Sequence, residues 1–170
     1  MIVVDSSVWI DYFRGAVTAK TDKLDSLLVN QRLAIGDPIV AEVLQGFERE
    51  RDFNEALDLF DSLLFVTLGG SHIAPQAAVN YRKLRALGVT VRKTIACIIA
   101  TRCIEYGYEL LHNDQDFKQF VKHLGLQVSP ARFTAACAAL QTSASIAPVA
   151  AHRQSKARDC SNQRCTSRRK

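Results

Sequence analysis

Apolar residues in this chain fall into short runs of three or four and longer stripes at three- and four-residue spacing, and the alternation predicts strands separated by helices. Ile2-Val3-Val4 reads as a strand that stops at Asp5, after which Ser6 and Ser7 offer helix N-caps ahead of Val8, Trp9 and Ile10. Leu24, Leu27 and Leu28 share a helical face, and Leu33-Ala34-Ile35 is a second strand closed by Gly36. Asp37-Pro38 reads as a helix start with Asp as N-cap, followed by a stripe of Ile39, Val40, Val43, Leu44 and Phe47, with Glu42 on its flank. Phe53 to Leu64 continues as a helix, Phe65 to Leu68 as a strand, and Ile73 to Leu84 as a helix running to Gly88. Thr94 can cap a further helix containing Ile95, Ala96, Ile98, Ile99 and Cys103 and ending near Gly107. Tyr108 to His112 is a strand, Asn113 to Asp116 a loop, Phe117 to Leu124 a helix, and Leu126 to Val128 a last strand. Strands alternating with helices in this way predict an α/β fold with a parallel sheet covered on both faces.

The pattern stops after Ser129. Ala, Ser, Thr and Gln take over and large apolar residues thin out, so 129–170 is expected to be a basic, disordered extension, with a helical stretch conceivable near Phe133 to Leu140. Charge divides at the same place. Residues 1–128 carry 14 Lys and Arg against 16 Asp and Glu, a net of −2, whereas 129–170 carry 8 against 1, a net of +7. The overall +5 therefore belongs to the tail and is no evidence of a nucleic-acid surface on the folded part.

Length and a hydrophobic content of 48% suit one domain with a sizeable core. No basic leader precedes Asp5 and no apolar run approaches the roughly 18 residues of a membrane span, so a cytoplasmic protein is expected. Cys97, Cys103, Cys137, Cys160 and Cys165 form no Cys-x-x-Cys pair and have no histidine at ligand spacing, which argues against zinc or a disulfide framework. Cys97 and Cys103 fall in an apolar helix and are expected to be buried.

The candidate chemistry lies in Asp5, Glu42, Asp114 and Asp116. Taken singly, an aspartate after a strand is commonly a cap or turn residue and a glutamate on a helix is commonly solvated. Their joint placement carries more weight. Ligands of open parallel sheets bind beyond the carboxyl ends of the strands, where both Asp5 and Asp114 are predicted to stand. Two unit charges about 4 Å apart repel by about 4 kcal/mol at an effective dielectric near 20. Convergent carboxylates must therefore be neutralised by protonation, by Lys or Arg partners, or by a hard divalent cation. An all-oxygen set favours Mg²⁺ or Mn²⁺, whose bound water could attack a phosphodiester.

The segments VVDSSVWIDYF, IVAEVLQGF around Glu42 and TIACIIATRCIEYGYELLHNDQDF, with the closing strand, together resemble PIN-domain ribonucleases, specifically VapC-like toxins of type II toxin–antitoxin systems. The resemblance covers residues 1–128. It implies a PIN-like three-layer α/β/α domain with a central parallel sheet, Mg²⁺- or Mn²⁺-dependent endoribonuclease activity, a homodimer, and inhibition by a VapB-like antitoxin. It assigns metal-binding and catalytic roles to Asp5, Glu42, Asp114 and Asp116, and makes Ser6 and Ser7 groups that hydrogen-bond a carboxylate or water. The family's third acidic position follows Thr-Ile at a helix start, and this chain has Thr94-Ile95-Ala96 there, which implies impaired cleavage. Two origins of the alanine stay open, deliberate disabling of a toxic nuclease or drift of the gene; the extension past Val128 looks like read-through beyond a lost stop.

RNA approaching an acidic centre needs cations at the rim, and Arg92 and Lys93 are the expected phosphate contacts among Arg82, Lys83, Arg85, Arg102 and Lys118. Trp9, Ile10, Tyr12 and Phe13, with Phe47, Phe53 and Phe60, exceed the needs of one inward helical face; they are either core or the walls of a groove for a partner helix. Two other readings compete: a catalytically dead module that keeps the fold and binds an antitoxin, and a phosphatase or receiver domain using Asp5. The second lacks an aspartate two positions after Asp5, where Ser7 stands.

Overall fold

The computed structural model describes residues 1–29 and 33–130. The residues of the expected tail from 131 onward, including the stretch near Phe133, lie outside them. Strand β1 (Ile2–Val4) leads into α1 (Ser6–Phe13) and α2 (Ala19–Val29), and β2 (Leu33–Gly36) into α3 (Asp37–Leu44) and α4 (Glu50–Asp61). Next come β3 (Leu64–Val66), α5 (Ile73–Ala86), α6 (Thr94–Tyr106), β4 (Glu109–Leu111), α7 (Phe117–Leu124) and β5 (Gln127–Val128).

All pairings are parallel, in the order β3-β2-β1-β4-β5. The handedness of crossovers then fixes the layers. From β1 the chain steps outward to β2 and β3, which puts α1 to α4 on one face. It returns across the sheet to β4 and steps on to β5, which puts α5, α6 and α7 on the other. Helix contacts agree with this division, because α1 packs on α2 and α3, and α6 on α5 and α7. The result is the three-layer α/β/α arrangement with a central parallel sheet.

Parallel strands enclosed on both faces need apolar side chains on both sides. Val3, Val4, Ala34, Ile35, Leu110 and Leu111 are accordingly all fully buried. The aromatic surplus of α1 is mostly core: Trp9, Tyr12, Phe13 and Phe60 are buried, and the Trp9 ring lies 5.9 Å from Phe13 and 5.1 Å from Phe60. Ile10, Phe13, Val43 and Phe47 nonetheless wall a cleft of about 340 Å³, rimmed by Arg14, Glu48, Arg49 and Asp52. Most of the set is thus core, and Phe13 belongs both to it and to the cleft wall. Cys97 and Cys103 are buried and unbridged, and burial pushes the Cys103 thiol up to about 12.

Local differences from the sequence reading concern element ends: α4 stops at Asp61 rather than Leu64, β3 is Leu64–Val66 rather than Phe65 to Leu68, and several helix starts differ. The N-cap of α1 is Asp5 rather than a serine, that of α3 is Gly36, and that of α6 is Lys93 rather than Thr94. Asp37 instead accepts a hydrogen bond on Oδ1 from the Leu68 N–H at 2.7 Å, joining the start of α3 to the chain leaving β3. Among the described residues no helix is long and apolar enough to cross a membrane.

Gly36 is required by proximity. A Cβ there would penetrate the Leu68 side chain and sit 2.8 Å from the Val66 carbonyl oxygen. Gly36→Ala is therefore expected to destabilise the domain by about 1–3 kcal/mol through overpacking. Urea unfolding monitored by circular dichroism checks this, and an unchanged midpoint would show that the β2–β3 edge yields freely.

Candidate active site

Strand order reverses between β1 and β4, since the chain leaves one toward β2 and the other toward β5. At such a switch point the loops diverge and leave a crevice beyond the strand ends. Val4 pairs with Leu111 there, and the Asp5 N–H donates to the Leu111 carbonyl at 2.9 Å, so the two loops leave the sheet side by side.

Asp5 is buried and caps α1, its Oδ2 accepting the Ser7 N–H at 3.0 Å and the Ser7 hydroxyl at 2.5 Å. The same hydroxyl accepts the Asn113 N–H at 3.0 Å, so one serine links the α1 start to the loop after β4. Asn113 Nδ2 donates to Asp11 at 2.7 Å, a second tie between that loop and α1. Glu42 arrives from α3, and its Oε2 accepts the Ser6 hydroxyl at 2.9 Å. Asp114 is held on both oxygens: Oδ1 accepts the Asp116 N–H at 3.0 Å and Oδ2 accepts Lys93 Nζ at 3.1 Å.

Two of the other candidate carboxylates, Glu42 and Asp114, come within electrostatic reach of Asp5. Burial raises the Asp5 carboxyl above its ordinary range; hydrogen bonds from Ser7 oppose this, and the charges of Glu42 and Asp114 add to it. Burial works against ionisation of Asp114 as well, but the Asp116 N–H and the Lys93 ammonium outweigh it and lower that carboxyl overall. Asp116 has a different task. Its Oδ2 accepts the Arg92 N–H at 3.1 Å, tying the β4–α7 loop to the segment entering α6.

Lys93 faces this centre. Its ammonium is held ionised by the hydrogen bond and charge of Asp114 first, with further attraction from Glu42 and Asp5. Arg92 contributes a backbone N–H to Asp116, and its side chain lies at the surface. Ala96, three residues beyond Lys93 in the first turn of α6, places a methyl in the core at 3% exposure.

Several supporting residues were not singled out in the sequence. His112 is buried, and burial followed by the nearby Lys20 charge lowers its tendency to protonate. Its Nδ1 lies 2.9 Å from the Asp114 carbonyl. A carbonyl only accepts, so Nδ1 carries the proton. The Lys20 ammonium donates to the His112 carbonyl. Lys20, Asp11 and Asn113 meet across about a hundred residues of chain, and no local spacing announces such a meeting.

In kind, the donors suit a hard divalent cation, being all oxygen. In arrangement they are not preassembled: among the described residues no three His, Cys, Asp or Glu side chains are grouped to hold a metal ion. The side chain at position 96 offers no oxygen, and Lys93 and Lys20 both bring positive charge toward Asp5.

The fold and this crevice have counterparts among known proteins. At 30% identity over 134 residues, 78% of this chain aligns with the whole of VapC ribonuclease Mb1587 from Mycobacterium bovis, and equally with ribonuclease VapC11 from Mycobacterium tuberculosis. Among solved structures, VapBC2 from Rickettsia felis, bound to a DNA fragment from its promoter, matches with a TM-score of 0.59 at 19% identity, covering 76% of this chain and 98% of that one. VapBC-1 from nontypeable Haemophilus influenzae matches with the same TM-score at 18% identity, covering 77% and 98%. Residues 2–122 match the PIN domain family, and with that span and these relatives the chain belongs to the PIN-domain family, among its VapC-type ribonucleases.

Proposed function

We propose that this protein is the toxin of a VapBC-type pair, an endoribonuclease dependent on Mg²⁺ or Mn²⁺, homodimeric and impaired by Ala96. The observation that carries this reading is the gathering of Asp5, Glu42 and Asp114 at the switch point of a parallel sheet, where their charges act on one another.

PIN-domain ribonucleases generally depend on divalent metal, which in this centre would acidify a water for attack on an RNA phosphodiester. Asp5, Glu42 and Asp114 are the residues that would hold the ion. Ser6 and Ser7 orient the first two by hydrogen bonds to Glu42 and Asp5. Asp116 acts from the neighbouring loop by fixing the Asp114 carboxylate through its own N–H. Loss of a partner that merely orients a metal ligand commonly costs 10 to 100-fold, so an absent carboxylate at position 96 costs at least about 10²-fold.

A second reading is a catalytically dead module that retains the fold and sequesters an antitoxin. The methyl of Ala96 and the lysine at the acidic centre favour it. Either way a VapB-like antitoxin is the partner, a pairing supported by the VapBC complexes of the solved relatives. The cleft walled by Ile10, Phe13, Val43 and Phe47 is suited to an apolar helical segment of it.

Three outcomes are expected. Cleavage of a labelled RNA with Mn²⁺ should be about 10²-fold or more faster for Ala96→Asp than for the unmodified chain, each also compared as a version ending at Val128. Equal rates would overturn the impairment, and no cleavage by either would leave the binding module. Replacing both Arg92 and Lys93 with Ala should weaken RNA binding and reduce the log–log salt slope by about 1.4, or 0.7 per phosphate contact on single strands; an unchanged slope removes both from the RNA path. Ile10→Glu, in the cleft wall, should release a co-expressed VapB-like antitoxin in pull-down while light scattering still reports a dimer.

A further inference from the structure

We propose that Lys93 is a built-in counter-ion of the acidic centre, neutralising Asp5, Glu42 and Asp114 when no divalent ion is bound and competing with that ion for Asp114. The inference deepens the metal-dependent reading above and rests on it.

The geometry sets up the competition at one atom. Asp114 Oδ1 accepts the Asp116 N–H and Oδ2 carries Lys93 Nζ at 3.1 Å, so a cation approaching Oδ2 meets the ammonium there. The ammonium also feels Glu42 and Asp5, though less than Asp114, which it touches. Three carboxylates cannot be held near one another as anions without compensation. A lysine is suited to a displaceable role, because its charge is a compact point on a flexible stem with three rotatable donors. The Lys93 side chain is 60% exposed, against 22% for Asp114, so it can swing outward while the carboxylate stays in place. Its backbone is pinned as the N-cap residue of α6, three positions ahead of Ala96. In a centre with a fourth carboxylate at position 96 the ion would gain a donor that the lysine does not already engage. With alanine there, the ion lacks that donor, while Asp114, which it would need, carries the lysine.

Titration of the full chain with Mn²⁺, followed by electron paramagnetic resonance of the free ion at fixed ionic strength, tests this. Lys93→Met should bind Mn²⁺ about tenfold more tightly than the unmodified protein, because a charge within roughly 4 Å of the ligand oxygen has been removed. Lys93→Arg should stay weak. Lys122→Met, which removes the same charge from the last turn of α7, should change affinity less than about twofold once salt screens it. Unchanged or weaker Mn²⁺ binding by Lys93→Met, beside measurable binding by the unmodified protein, overturns the counter-ion and leaves the metal site standing. Saturable binding by none of these proteins, nor by Ala96→Asp, overturns the metal site and the counter-ion together. Tightening by Lys122→Met as large as that by Lys93→Met would show a general charge effect and also overturn the specific role.

Discussion

Everything at the centre depends on the parallel pairing of β1 with β4. Its last hydrogen bond, from the Asp5 N–H to the Leu111 carbonyl, brings two loops 106 residues apart in sequence to one rim, and the Ser7 hydroxyl then bonds both the carboxylate of one and the backbone of the other. A hydroxyl can donate and accept at once, which lets a single atom close the junction. The apolar strands below supply the rigidity. Val3, Val4, Leu110 and Leu111 are fully buried, so the polar network stands on a packed floor and its geometry does not rely on loop stiffness.

That floor also sets the electrostatic problem. A carboxylate at the end of a fully buried strand is itself buried, and the Asp5 carboxyl is raised by burial before any neighbour acts on it. Hydrogen bonds from Ser7 oppose this only in part, and the charges of Glu42 and Asp114 add to it. Glu42 and Asp114 are less buried, one on a helix flank and one in a loop, and each takes a local donor: Ser6 for the first, the Asp116 N–H and Lys93 for the second. The centre is thus graded, with its least solvated carboxylate deepest and its cation at the exposed edge.

The fold was legible in the chain because periodicity reports burial directly. Short runs such as Val3-Val4 and Leu110-Leu111 mark enclosed strands, and the Gly107 and Gly125 helix ends, both left-handed, were marked by glycine. Helix starts were less legible, since Asp5, Ser6 and Ser7 are all good caps and only the tertiary demand on the serine side chains decides that Asp5 takes the role. Positions of Asp5, Glu42 and Asp114 could be anticipated from strand ends and a helix flank. The separate duty of Asp116 could not, because it depends on where Arg92 arrives from the far side of α5. The link between Lys20 and His112, across 92 residues, has no sequence signature at all. Lys93 was visible as a cation near the rim, but its pairing with Asp114, 21 residues further on, is made only by the fold.

Position 96 shows how closely stability and chemistry oppose each other here. An aspartate in the first turn of α6 would add a carboxylate at a site 3% exposed, beside a cluster whose deepest member already resists ionisation. Its burial is tolerable only with a partner, because an unpaired buried charge is strongly unfavourable. A divalent ion would supply two positive charges to such a carboxylate, whereas Lys93 supplies one and is already hydrogen-bonded to Asp114. Alanine at this position packs against the core and asks for no counter-charge. A single side chain therefore decides whether this turn of α6 adds to the electrostatic load on the fold or to its packing.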